Sequence, residues 1–282
     1  LRDQQATFDV DFPSALYAGS GGVEGSANLT GAPKPLCFGQ VYNIEPILVD
    51  ATNRIYQVHT GQIEAINTVY QGGVALATSA YTVDLTNGRF TLGSAPDDVI
   101  TADVQGAKPS GSYKATVADI INHIVVTHTA LASSDLVSAT FSALNTANSS
   151  VVGIYVATST TMLDVLDQLI NTIGGFYGFN REGKFEVGQI ILATGTAAAE
   201  FDATTIIELT RLASAVPNYQ ARVEYKHNYR TFSEAEFGDN VTTAQRDYLV
   251  RPALVAVSTD TGIQTPYPNS DPLIVPSLFS TS

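Results

Sequence analysis

A chain of 282 residues with 44% hydrophobic content is long enough to bury a large core in two or three modules, and disorder is not its overall state. Its 27 acidic against 14 basic residues leave a net charge of −13 with no basic cluster, which argues against nucleic-acid or anionic-membrane partners because both need a cationic footprint. With only 15% charged residues the surface is polar but weakly charged, as suits a β-rich protein in general or, the reading preferred here, a subunit whose faces pack against neighbours, where charge would carry a desolvation cost.

Residues 1–36 are punctuated by Gly19, Gly21, Gly22, Gly31, Pro33 and Pro35 and read as an extended arm or linker, expected to lie on a neighbouring subunit. Neither GxGxxG nor a Walker-type phosphate loop can be laid over the glycines, so they read as turns. The start at Leu1, with Phe8, Asp9 and Val10 close behind, looks like the exit from an earlier strand, so a fragment of a longer chain is expected.

From 37 to 108 the signal is β. Apolar runs at 37–42, 44–49, 55–59, 63–70, 74–76, 81–85, 89–92 and 99–104 are separated by turn formers, which predicts a barrel or sandwich-like module. Asn87-Gly88 between two of these runs predicts a hairpin whose two central residues both take positive φ. Asp97 and Asp98 follow Pro96 on a turn and lack the further oxygen ligands that calcium needs.

Residues 108–111 form a linker, and 109–200 then read as a small α+β module. Helices are expected near 116–128, 138–147 and 161–173, with a strand at 151–156 between the second and the third. The third helix is the clearest element of the chain. Met162, Val165, Leu166, Leu169, Ile170 and Ile173 mark one apolar face, Asp164, Asp167, Gln168 and Asn171 the other, and Thr161 sits at the N-cap. Gly174 and Gly175 end it, and a hairpin follows at 176–190 with a turn at 180–183.

Residues 201–282 read as a β-rich module that continues beyond the fragment. Residues 201–212 are expected to form a turn or short helix delivering a strand. At 220–229 the residues alternate, with Ala221, Val223 and Tyr225 inward, and 241–250 suits a helix with Ala244, Tyr248 and Leu249 on one face. The segment after it is rich in Pro, Ser and Thr and stops without a closing element. The fold class is therefore α+β and β-rich. No apolar run approaches the roughly 20 residues that cross a bilayer.

Catalytic and metal-binding patterns are missing from the sequence. The single Cys37 excludes an internal disulfide and a thiolate cage, and it reads as a core residue. His123 and His128 are five apart, on different faces of a helix, whereas zinc-binding pairs sit at i and i+4. His59 ends a strand and His227 lies in the alternating strand, both read as structural or surface histidines. No GxSxG is present, so no enzyme activity, cofactor or metal is expected. The aromatic cluster Phe176, Tyr177 and Phe179 is the remaining candidate, and it reads as subunit packing divided between core and neighbour rather than as a ligand platform.

The stretches GAPKPLCFGQVYNIEPILV (31–49), IYQV (55–58), YTVD (81–84) and GRFTL (88–92), the helix-hairpin of 163–183 and VEYKHNY (223–229) together resemble tail-tip and baseplate-hub proteins of long-tailed bacteriophages and related gene-transfer particles. The likeness spans roughly residues 25–255. It implies a structural virion protein, assembled in the host cytoplasm, that forms a ring, usually a trimer, around the tail axis. Such a ring joins the tail tube to fibres or spike, opens for DNA passage, and has the distal tail protein, the tape measure and the fibres as partners. Iron–sulfur clusters or cell-wall hydrolase activity occur in some such proteins, but one cysteine and no hydrolase motif carry neither over. The alternative expectation is a carbohydrate-binding or adhesin module that recognises the host surface.

Overall fold

The structure is a computed structural model that describes residues 3–191, 199–202, 204–208, 210 and 216–282. A short helix, α1 (Gln4–Phe8), and a two-residue strand, β1 (Asp11–Phe12), open the chain. Eight strands follow: β2 (Leu36–Ile44), β3 (Ile47–Asp50), β4 (Ile55–Gln57), β5 (Ile63–Gln71), β6 (Val74–Ala75), β7 (Tyr81–Asp84), β8 (Arg89–Leu92) and β9 (Ile100–Ala107). They match the eight apolar runs of the sequence one for one. They form two open antiparallel sheets: β2, β9, β5 and β6 are successive neighbours in one, and β3, β4, β8 and β7 in the other. The arrangement is sandwich-like and no barrel closes. Val41, Ile44, Val69 and Val104 from the first sheet meet Tyr56, Phe90 and Leu92 from the second in one buried core.

The β7–β8 hairpin is present, but its loop has four residues, 85–88, and only Gly88 takes a positive φ. The two-residue turn expected at Asn87-Gly88 is not formed. Instead the Asp84 carboxylate accepts from the Asn87 backbone N–H (3.2 Å) and side-chain amide (2.7 Å), which holds the wider loop.

The helical part contains α2 (Val117–His128), α3 (Ser138–Ala147), β10 (Gly153–Val156), β11 (Thr160–Thr161), α4 (Met162–Thr172), β12 (Gly175–Phe179) and β13 (Phe185–Gln189). The three helices lie where the sequence places them. Thr116 and Thr161 cap α2 and α4, their hydroxyls accepting from Asp119 N–H (3.3 Å) and Asp164 N–H (3.0 Å). Met162, Val165, Leu166, Leu169 and Ile170 of α4 are buried as their periodicity requires, each contributing on the order of 2 kcal/mol.

β10 pairs with the outer edge of β2 and makes the first sheet five-stranded, so that sheet runs across the 108/109 boundary. Its residues alternate between two cores. Ile154 and Val156 face the helices, while Tyr155 packs on the sandwich core; on β2, Leu36 and Phe38 face the helices and Cys37 the sandwich. The result is three layers, with helices, five-stranded sheet and four-stranded sheet in order.

The N-terminal segment departs from its expectation. Phe8 and Phe12 are fully buried in the helical core, and β1 pairs with β11. Tyr17 is buried too, its hydroxyl donating to Gln57 Oε1 at 2.8 Å. Three large aromatic rings remove more apolar surface from water when folded back than an arm on polar glycine punctuation suggests.

The remaining elements are β14 (Gln220–Tyr225), α5 (Thr243–Leu249), β15 (Leu254–Thr259), the one-turn α6 (Thr261–Gln264) and β16 (Leu273–Val275). In the 201–212 segment Asp202 holds a turn through Thr204 and Thr205 N–H, and residues 203, 209, 211 and 212 lie outside the described residues. The strand expected over 220–229 stops at Tyr225, because Lys226 takes a φ of 51° and turns the chain. Lys226 then lies between the rings of Tyr42 and Tyr248, 4.9 and 4.7 Å from their centroids. Ala221, Val223 and Tyr225 share a face as the alternation predicts, but none is buried, and none joins a core cluster among the described residues. On α5, Leu249 is buried and Ala244 is exposed, so Ala244 is not on the inward face.

The last residues return to the sheet. Leu278 and Val151 carbonyls accept from Gly153 N–H (2.9 Å) and Ser280 N–H (3.0 Å), and Lys226 N–H donates to Phe279 O at 2.7 Å. The segment 276–280 is thereby a strap that ties β14 to β10. Among the described residues no helix is long and apolar enough to cross a membrane.

Candidate functional site

The strap forms one wall of a cleft of about 430 Å³. α4 supplies Gln168 and Asn171 from its polar face, the loop after β10 supplies Thr158, and Glu224 and His227 project from the end of β14 and the turn beyond it. Ile154, Val156, Val165 and Leu278 give the cleft an apolar base. The wall is fixed from two sides. The Ser277 hydroxyl donates to the Glu224 carbonyl, and Leu278 N–H donates to the Thr172 hydroxyl at 3.2 Å.

His227 packs edge-on against Tyr229 with centroids 4.7 Å apart. Burial lowers its pKa, opposed by the neighbouring Glu224 carboxylate, so the ring is neutral at pH 7. The charged residue lining the cleft at that pH is Glu224. The groups present are a carboxylate, a neutral imidazole, two primary amides and a hydroxyl, a set suited to holding a polar ligand.

The other three histidines come together at a second place. His59, His123 and His128 line a pocket of about 190 Å³, covered by Pro13, Ser14 and Ala15 of the N-terminal segment. His123 and His128, expected on different helix faces, have ring centroids 6.4 Å apart. The i, i+5 argument fails because His128 is the last residue of α2 and Phe12 packs edge-on against its ring at 5.1 Å. Phe38 packs against both His59 and His123, each at 5.9 Å. Burial pushes the pKa of His59 down to about 3 and that of His123 to about 4, with the mutual repulsion of the rings adding to both, and burial lowers His128 as well.

The trio does not offer a metal three lone pairs. Cys37 N–H donates to His59 Nδ1 at 2.9 Å, which places the His59 proton on Nε2 and leaves that nitrogen without a free pair. Among the described residues no group of three His, Cys, Asp or Glu is placed to hold a metal ion. Asp97 and Asp98 are exposed on their turn. Cys37 is fully buried and burial raises its thiol pKa, which removes nucleophilic character.

Of the aromatic cluster, Tyr177 and Phe179 pack against Phe8 (6.1 and 6.0 Å) and Phe185 (5.8 and 5.6 Å) of their own chain. Phe176 alone is half exposed, at 50%, and lies over Gly188. Sequence reasoning saw Gln168 and Asn171 only as a solvated helix face and His227 only as a strand residue. The break at Lys226 that turns His227 into the cleft has no signal in the alternation.

A third exposed feature is the sheet of β15, β14 and β16. Its register aligns Arg222 with Val257 and Ile274, and Glu224 with Val255. Val255, Val257 and Ile274 are 50%, 58% and 62% exposed on that shared face. No protein-family model matches the chain, and no curated protein matches its sequence.

Proposed function

We propose that the chain is a structural subunit of a phage tail tip or baseplate, the hub or a neighbour of it, assembling into a ring of copies that joins the tail tube to fibres or spike and opens for DNA passage. The observation that supports this reading is the sheet of β14, β15 and β16. That separate sheet carries Val255, Val257 and Ile274 exposed on one face, on either side of Arg222 and Glu224, and exposed apolar side chains grouped on a sheet face belong at an interface. The occupant is the next copy around the ring. The net charge of −13 fits a lumen that releases DNA rather than holding it. Sedimentation of the purified assembly tests it: a closed oligomer is expected, dissociated by Val257→Lys, and a strictly monomeric species in the full-length protein overturns it.

A second reading is a carbohydrate-binding module that recognises a host surface. What favours it is the cleft beside α4, where the side chains of Gln168, Asn171, Glu224, His227 and Thr158 converge without a hydrogen-bond partner among the described residues. Saturable binding of the protein to host cells separates it from a purely structural ring.

A further inference from the structure

We propose that the cleft between α4 and the strap 276–280 binds a neutral saccharide unit, with the Glu224 carboxylate and the Gln168 and Asn171 amides as its hydrogen-bonding edge. The proposal rests on the second reading for the kind of ligand, and it adds the place and the groups.

The cleft separates its polar groups into two sets. Thr160, Thr172, Tyr155, Tyr229 and Ser277 spend their hydroxyls inside the protein, on Asp164 (3.3 Å), Gln168 O (2.9 Å), Glu45 O (3.0 Å), Gly153 O (3.1 Å) and the Glu224 carbonyl. The side chains of Glu224, Gln168, Asn171, His227 and Thr158 make no hydrogen bond to any other described residue. They come from three stretches of the chain, and the strap's bonds to Gly153, Thr172 and Lys226 hold those stretches together. Groups that stabilise the fold and groups left for a ligand are thus distinct.

The free set decides the ligand class. A carboxylate accepts from two adjacent hydroxyls, and each primary amide both donates and accepts, which is what a ring of vicinal diols offers and requires. An amine would satisfy Glu224 but leave the amide N–H groups without acceptors. Phosphate, sulfate and uronic acids are disfavoured, because among the described residues no Lys or Arg lines the cleft and Glu224 repels them. The apolar base of Ile154, Val156, Val165 and Leu278 suits the C–H face of a sugar ring, and about 430 Å³ falls in the range of small-ligand sites.

The test titrates the purified full chain with glucose, galactose, mannose and N-acetylglucosamine, followed by ligand-observed NMR, with glucosamine, glucuronate and inorganic phosphate as charged controls. Saturable binding of at least one neutral sugar is expected, weakened about tenfold by Glu224→Gln and by Asn171→Ala, the loss of one strong hydrogen bond each. Circular dichroism and thermal unfolding of both variants should be unchanged, since neither side chain has a hydrogen-bond partner among the described residues. Absence of saturable binding by all four neutral sugars overturns the proposal, as does binding that survives both substitutions or that glucosamine, glucuronate or phosphate matches. Binding to host cells that both variants retain would sink this site while leaving the carbohydrate-recognition reading intact.

Discussion

Asn43 Nδ2 donates to Asn228 Oδ1 at 2.7 Å, joining two buried residues 185 positions apart in the chain. Asn43 sits at the bulge of β2 with a φ of 48°, and its backbone N–H donates to Asp103 Oδ1 at 2.8 Å. Asn228 in turn donates to the carbonyls of Leu249 (3.0 Å) and Arg251 (2.9 Å). This pair fastens the segment after β14 to the sandwich and so fixes where Glu224 and His227 stand. Asn228→Ala leaves those carbonyls and the Asn43 amide short of partners and should cost about 3 kcal/mol. Asn228→Asp should cost at least as much, because a carboxylate has no hydrogen to donate to either carbonyl. Urea denaturation of the two variants reads this directly, and an Asp variant of native stability would refute the donor assignment.

Stability should fall in acid through the histidine pocket. The folded chain keeps His59 neutral down to about pH 3 and His123 to about pH 4, whereas in the unfolded chain both protonate near 6.5, the ordinary value for histidine. Between those limits the unfolded state binds more protons, so the stabilisation is complete above pH 6.5 and is lost as pH falls toward the folded values. His59 alone accounts for about 2 kcal/mol by pH 5. His59→Asn keeps an acceptor for Cys37 N–H and removes the titration, so its unfolding free energy should vary less between pH 7 and pH 5 than that of the native chain.

Gly39 takes a φ of 64°, and a Cβ there would stand 1.8 Å from Val152 O, which accepts from Gln40 N–H. Gly39→Ala has to push β10 off β2 at the seam of the three layers. A loss of several kcal/mol is expected, from positive φ and backbone collision together. Thermal unfolding compared with Gly111→Ala, where φ is positive but nothing lies within 4 Å, isolates the collision.

Phe8 is fully buried among Tyr177, Phe179 and Phe185 of the same chain. Phe8→Ala should therefore destabilise the isolated chain by about 3–5 kcal/mol. An unchanged unfolding midpoint would mean that the N-terminal segment packs elsewhere, as on a neighbouring copy.

Ile170 is 3% exposed on the inner face of α4. Ile170→Asp places a carboxylate in the helical core and should prevent its folding, a penalty of several kcal/mol. Soluble protein with native circular dichroism would contradict that.

What periodicity encodes was legible without coordinates. The helices α2, α3 and α4, the threonine caps of α2 and α4, the eight strands of residues 36–107 and the β12–β13 hairpin all follow from neighbours within four residues of one another, and local sterics and local hydrogen bonds decide such patterns. The alternation of 220–225 was equally visible, but burial depends on whether another layer arrives, and for Ala221, Val223 and Tyr225 none does among the described residues.

The candidate site belonged to the other category. Gln168 and Asn171 announced a polar helix face, and nothing in their spacing announced a strap of residues 276–280 closing on it from more than a hundred positions away. The same holds for His59 joining His123 and His128, and for Phe8 and Phe12 folding back into the helical core. Sequence by itself determined the elements and the faces they must bury, because those are properties of short stretches. Only the tertiary structure decided which faces meet, because a contact such as Asn43 with Asn228 is selected by the packing of whole layers and leaves no period in the chain.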